Sequence, residues 1–325
     1  MSKPIVFMFS GQGSQSYQMG KELWDHHHVF RKWMLKQDDI VEEMIGRSII
    51  EIIYSSFKQR KDRFDQTLYT HPAIFMVEYS LARVFIEQGI NPAFVMGTSL
   101  GEFASAAVAD VMPLEKTIEA VIVQARMLEE CEDGGMIAVV ENKRLFDEMP
   151  VFKKNSQLAA VNFESHFVVA GQRRGIAEIE SELIKKEKLY EVLSVSKGFH
   201  SAYIDSAKKP YVDYLSTIDI SRPSISFVSC DSGEQISSIS KDYFWNVIRH
   251  AIQFNNAVLN MEKKGPFRYL DLGPSGILAT FAKRIIGNQS ESEIYSVMNP
   301  FGVEMEDLEQ LERVLRKSSR DLLKK

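Results

Sequence analysis

Ala93-Phe-Val-Met-Gly-Thr-Ser-Leu-Gly-Glu-Phe-Ala-Ser-Ala-Ala107 decides the reading of the chain. Its first residues are small and apolar, the end of a buried strand. Gly97-Thr98-Ser99-Leu100-Gly101 makes one sharp turn, and an Ala-rich helix follows. Gly-x-Ser-x-Gly where a strand hands over to a helix is the setting of a nucleophile elbow. Gly97 and Gly101 have no Cβ to clash with the neighbouring strand and helix. Ser99 is held at the apex with its hydroxyl exposed to substrate. The Leu100 N–H lies at the helix N-terminus, aimed at an oxyanion formed by attack of Ser99. Five letters alone fit a plain strand-to-helix turn equally well; their placement favours the elbow.

The 325 residues are 45% hydrophobic and 26% charged, enough for one large or two unequal domains. A net charge of −5 argues against non-specific nucleic-acid binding. The two cysteines, Cys131 and Cys230, have no metal-ligand spacing and suit a reducing cytoplasm. The N-terminal residues run into a strand without a signal-peptide h-region, and no apolar run reaches the roughly 20 residues of a membrane span. These features predict a soluble cytoplasmic protein.

Outward from the elbow, Ile5–Phe9 is a continuous apolar strand of the kind buried on both faces. The polar loop Ser10–Gln15 follows, where α/β proteins place functional groups, and a helix is expected near Met19 to Trp24. Residues up to Arg63 read as charged and helical. Tyr69-Thr-His-Pro72 is expected to break the chain before an apolar helix from Ala73 to Gln88, and another helix runs from Pro113 to about Glu130. Then the texture changes. Strand 136–140, helix 142–148, strands 157–163 and 166–170, helix 176–186 and strand 190–195 follow in order, a β-α-β-β-α-β succession. Strands at 227–230 and 268–272, a helix from Tyr243 to Met261 that turns irregular near Ala251–Phe254, and a charged tail helix from Met305 to Lys325 complete the chain. The expected fold is α/β: an α/β-hydrolase-like large domain from residues 1–133 and 196–325, with a ferredoxin-like small subdomain, 134–195, inserted into it.

A serine nucleophile needs a base, and histidine is the usual one. His26-His27-His28 looks like a metal tract, but consecutive helical residues point about 100° apart and no fourth ligand is in sight. His250 reads as a surface residue, and His166 starts a strand. His71 sits at a helix entry, where it lines a cleft or merely caps the helix. His200, in Gly-Phe-His-Ser where the chain re-enters the large domain, is the leading candidate, with His71 its competitor.

In order, Phe9-Ser-Gly-Gln-Gly-Ser-Gln15, Gly97-x-Ser-Leu-Gly-Glu102, Gly198-Phe-His-Ser201 and Asp271-Leu-Gly-Pro274 resemble the acyltransferases that load acyl carrier proteins. These are the malonyl-CoA:carrier-protein transacylases and the acyltransferases of polyketide synthases. The resemblance runs from about Ile5 to Met298. With no ketosynthase or linker sequence beside it, the chain resembles the discrete, trans-acting acyltransferases of polyketide clusters, of the bacillaene type. The resemblance implies ping-pong acyl transfer through a Ser99–His200 dyad, without cofactor or metal. It also implies an oxyanion hole from the N–H groups of Leu100 and Gln12, and an imidazole oriented by a main-chain carbonyl at Gln253. Partners would be an acyl carrier protein with its phosphopantetheine-bound thioester, acyl-CoA, and polyketide synthase modules; nucleic acid and membrane are not expected.

The chain departs from that family at the substrate pocket. Thr98 replaces the histidine common before the nucleophile, His71 replaces a cleft glutamine, and an Asn-x-Pro pattern is altered at Asn162. Phe199 beside His200 is a further expected pocket residue. Malonyl-type members place an arginine on the helix after the elbow, where it grips the substrate carboxylate bidentately. Aligned without a gap to Gly134-Gly-Met-x-Ala-Val139, that position is Gln124. Arg126, two residues on, is rotated about 200° and reaches the pocket only through a register slip. A neutral Gln124 would leave a buried malonyl carboxylate unpaired, so the expectation is a hydrolase of stalled, non-carboxylated acyl chains on carrier protein. The alternative is a malonyltransferase supplying extender units in trans, and a third reading is a catalytically silent docking homologue.

Overall fold

The computed structural model describes residues 3–299 and 303–320, with side chains to residue 316. The first part of the chain is β1 (Ile5–Phe9), α1 (Lys21–His26), α2 (His28–Ile45), α3 (Ile49–Ile53), α4 (Thr67–Glu87), β2 (Phe94–Gly97), α5 (Gly101–Val108) and α6 (Leu114–Glu129). Next come β3 (Gly134–Val139), α7 (Arg144–Glu148), α8 (Pro150–Asn155), β4 (Gln157–Phe163), β5 (His166–Gln172), α9 (Arg173–Lys185) and β6 (Tyr190–Val192). A 3-10 turn (Ala202–Ala207) then leads to α10 (Lys208–Leu215), β7 (Ser226–Ser229), β8 (Glu234–Ile236), α11 (Tyr243–Arg249) and α12 (Phe254–Glu262). Finally β9 (Arg268–Asp271), α13 (Ile277–Ile286), β10 (Glu293–Ser296) and α14 (Glu304–Arg320) close the described chain. The last five residues of the expected tail helix, 321–325, lie outside the described residues.

The large sheet has the order β10-β9-β1-β2-β7-β8, parallel except for the antiparallel edge strand β8. β1 lies inside it and is buried on both faces: Phe7 and Phe9 enter the main core, whereas Val6 and Met8 pack with α12 and α13 residues such as Val258 and Leu278. This period-2 division explains why β1 is an unbroken apolar run.

The smaller sheet, order β4-β5-β3-β6, is antiparallel throughout. Ile137 and Val139 of β3 pack with Ile176, Ile179 and Leu183 of α9. Met136 and Ala138, on its other face, belong to the main core. The alternation along β3 therefore glues this sheet to the rest of the molecule. A parallel bridge, Ala160 with Ile252, adds a backbone link.

Two expectations change. Tyr69–Pro72 is no break: α4 starts at Thr67 and carries Pro72 inside it. Thr67, Thr70 and His71 are all buried, so tertiary packing outweighs the bond that proline forfeits. The long helix expected from Tyr243 is two helices, parted at residues 250–253, one residue ahead of the irregular stretch expected at Ala251–Phe254. The short strands β8 and β10 carry no pattern that singles them out in sequence.

Candidate active site

β1 and β2 run parallel, and their C-terminal ends deliver the Ser10–Gln15 loop and the elbow side by side. A Cβ on Gly97 would lie 2.3 Å from the backbone of Gly101, and one on Gly101 would lie 2.2 Å from the Phe9 carbonyl oxygen. Both contacts are impossible, so the turn closes only with glycine there. Ser99 itself sits at φ 54°, a left-handed conformation costly to a non-glycine residue, which turns its hydroxyl out from the elbow. Thr98, next to it, is buried, and its N–H donates to the Phe9 carbonyl at 2.9 Å.

The Ser10–Gln15 loop presses on the elbow: a Cβ on Gly11 would lie 3.0 Å from Ser99 Cβ and 3.5 Å from the Leu100 nitrogen. Buried Glu78 of α4 anchors the loop, accepting from the Ser10 N–H at 2.7 Å and the Ser10 hydroxyl at 2.8 Å. Gln12 is steadied by its Nε2, which donates to Thr70 Oγ1 at 2.9 Å. Among the described residues, neither the Leu100 N–H nor the Gln12 N–H has a hydrogen-bond acceptor. Leu100 follows the serine directly, and Gln12 follows Gly11, which packs against it, so both loops carry an uncommitted backbone donor.

His200 comes from the far end of the inserted sheet. Its N–H donates to the Ile248 carbonyl at 2.9 Å, and it too holds a positive φ, 60°. Its Nδ1 is 2.7 Å from the His250 carbonyl oxygen and its Nε2 is 2.9 Å from Ser99 Oγ. A carbonyl only accepts, so Nδ1 carries the proton and Nε2 is left to accept from the serine hydroxyl. Burial holds the imidazole down to about pKa 4, so the ring is neutral at neutral pH. The orienting carbonyl is that of His250, which corrects the expectation of Gln253. The Gln253 carbonyl is instead taken by the first turn of α12, accepting from the Ala257 N–H at 2.9 Å.

The expected pocket residues divide. His71 is fully buried, with its ring 5.9 Å from that of Phe199, and neither ring nitrogen has a partner. Burial pushes its pKa down to about 3. Gln124 is buried, its Nε2 donates to the Tyr211 hydroxyl at 3.3 Å, and its Oε1 has no partner. Asn162 is buried with Nδ2 3.0 Å from His166 Nδ1. Arg126, unlike these three, is not buried: it is on the exposed side of α6 and donates to the Met44 carbonyl. Gln124 and Arg126 fall on opposite faces because two helical residues turn about 200°. The buried cations among the described residues are Lys197 and Arg268. Lys197 Nζ is bound to the Glu129 and Cys131 carbonyls and to Asp133, and Arg268 to Glu293 at the opposite end of the parallel sheet.

No group of three or more His, Cys, Asp or Glu side chains able to hold a metal is found among the described residues. His27 caps α2, accepting from the Phe30 N–H, and stacks on His28. Cys131 and Cys230 are buried free thiols. No helix among the described residues is long and apolar enough to cross a membrane. Sequence reasoning missed Glu78, Thr70 and Tyr211, helical residues whose partners come from distant segments.

The acyl transferase domain family matches residues 6–318 of this chain. The chain is similar to the polyketide biosynthesis acyltransferase homolog BaeD of Bacillus velezensis, 42% identical over 313 residues, 96% of this chain and 97% of that one. The homolog PksD of Bacillus subtilis is 41% identical with the same coverage. Among solved structures, the acyltransferase domain from the second module of the salinomycin polyketide synthase is 27% identical, with a TM-score of 0.82 over 94% of this chain and 72% of that one.

Proposed function

This chain belongs to the acyltransferase family of polyketide biosynthesis, and from that premise we propose that it works through an acyl-Ser99 intermediate to hydrolyse non-carboxylated acyl chains from carrier-protein thioesters. His200 Nε2 takes the proton of Ser99 Oγ as the oxygen attacks the thioester carbonyl. The N–H groups of Leu100 and Gln12 stabilise the oxyanion, each such donor being worth about 3–4 kcal/mol in the transition state. The C–S bond breaks, and the thiol leaves with the proton from His200. Water then attacks the acyl-serine ester, giving its proton to His200, and the acid departs as Ser99 Oγ regains a proton. Neutral His200, aimed by a carbonyl and in hydrogen-bond contact with Ser99, supports these roles.

The acyl preference rests on one observation: buried Gln124, with Oε1 unpartnered, occupies the helix face from which Arg126 is turned away. A carboxylate brought there meets no cation, a loss of about 3–5 kcal/mol for a buried charge. Unpartnered His71, held neutral, adds no positive charge. The succession β3-α7-α8-β4-β5-α9-β6, with sheet order β4-β5-β3-β6, supports a ferredoxin-like subdomain at 134–195. The described residues of the rest, within 1–133 and 196–325, then form the α/β-hydrolase-like unit.

The test is intact mass after exposure to a panel of thioesters. Acetyl- or butyryl-loaded carrier protein should give transient acyl-Ser99 and free acid. A persistent malonyl adduct from malonyl-CoA, without release of simple acyl groups, would instead establish the malonyltransferase. No adduct from any donor would leave a silent docking homologue.

A further inference from the structure

His200 is aimed by a peptide carbonyl and not by a carboxylate, so whatever fixes that peptide fixes the ring. The carbonyl belongs to His250, in the gap between α11 and α12 that has no helical ladder of its own. On either side the backbone is pinned: the His250 N–H donates to Asn246, the Ile252 N–H to Ala159 and the Gln253 N–H to Cys230, at 2.8, 2.8 and 2.7 Å. The peptide that carries the orienting oxygen is different. Its own N–H, that of Ala251, has no acceptor among the described residues. The side chain of the same residue is engaged, with His250 Nδ1 2.8 Å from Asp231 Oδ1.

Asp231 is itself rigid. Its N–H donates to Ser229 Oγ at 3.1 Å, and the preceding residue, Cys230, donates its N–H to Glu102 Oε1 at 2.7 Å. Glu102 is buried in the first turn of α5, the helix that leaves the serine elbow. The support of His200 is thus tied to the framework that carries Ser99.

We propose that His250 and Asp231 are positioning residues: their side-chain hydrogen bond locks the His250 carbonyl in the orientation that keeps His200 Nε2 on Ser99. The inference rests on the acyl-Ser99 reading but not on which acyl group is used. The His250 side chain is 53% exposed, so replacing it does not open the core.

A fluorophosphonate tests the pair directly, because Ser99 Oγ displaces fluoride from phosphorus whatever acyl group the enzyme prefers. The first-order labelling rate at saturation should fall about tenfold in His250→Ala and in Asp231→Ala, with the half-saturating concentration unchanged. The double variant should be no slower than either single, since both remove one interaction. His250→Asn, whose Nδ2 can take the place of Nδ1, should restore most of the rate. A His250→Ala rate within about twofold of wild type, or single effects that multiply in the double variant, overturns the proposal alone. Failure of the wild type to label overturns the acyl-serine reading and the positioning pair together.

Discussion

His200 Nε2 lies 2.9 Å from Ser99 Oγ across 101 residues of sequence, and both residues hold φ values in the left-handed region, 54° and 60°. Each such backbone costs roughly 1–3 kcal/mol, so the surrounding structure over-determines the pair. On Ser99 the restraint is the glycine-lined elbow, and on His200 the carbonyls of Ile248 and His250.

Ser99→Ala should abolish covalent labelling by acyl thioesters in intact-mass measurements. His200→Ala should slow acylation roughly ten-thousandfold, the scale seen when a catalytic base is removed from a serine enzyme. Labelling of Ser99→Ala at another residue would show that the nucleophile lies elsewhere.

Gln124→Arg places a cation on the inward face of α6. Malonyl-Ser99 should accumulate at least about tenfold faster than in wild type, through charge-assisted hydrogen bonds to the carboxylate. Without ligand the unpaired charge should cost about 3–5 kcal/mol, seen as a lower Tm that a malonyl thioester partly restores. Arg126→Ala, by contrast, should leave kcat/KM within about twofold of wild type, because that guanidinium is bound to the far side of the helix.

The acid limb of kcat/KM should lie near the depressed pKa of His200, about 4, because the base must be neutral to act. A limb near 6.5 would mean the ring is hydrated in solution.

His71 makes a separate stability prediction. Its folded pKa is about 3 against an ordinary 6.5, so between those values the unfolded chain binds a proton that the folded chain does not. Stability from this group is therefore complete above pH 6.5 and is lost as pH falls, by about 1.4 kcal/mol per pH unit. Buried carboxyl groups raised above their usual range, Glu78, Glu102 and Asp271, act in the opposite sense. The difference between wild type and His71→Gln isolates the histidine: denaturant midpoints of the two should converge toward wild-type disadvantage as pH drops from 6.5 to 4. A pH-independent difference would place a charged or solvated ring at that position.

Burial pushes the Glu78 carboxyl well above its usual range, and the form that remains neutral is close in shape to an amide. Glu78→Gln should therefore retain activity, whereas Glu78→Ala should lose about 1–3 kcal/mol of stability by stranding the Ser10 N–H. It should also slow acylation, by loosening the loop that carries Gln12.

The sequence by itself determined the local geometry: where a strand must hand over to a helix with no room for Cβ atoms, and which strands are buried on both faces. Those features are written in neighbouring residues, because glycine spacing and apolar runs act over a few bonds. The same locality explains why the opposite facing of Gln124 and Arg126 could be read from the helical period. Tertiary structure decided everything that depends on a partner from far along the chain. It chose the His250 carbonyl, three residues before Gln253, because the α12 ladder claimed the Gln253 oxygen. It carried α4 through Pro72, since burial of its first turn outweighs one missing hydrogen bond. It also revealed the Glu78 anchor and the Asp231–His250 contact, whose members are ordinary polar residues until folding brings them within about 3 Å of each other.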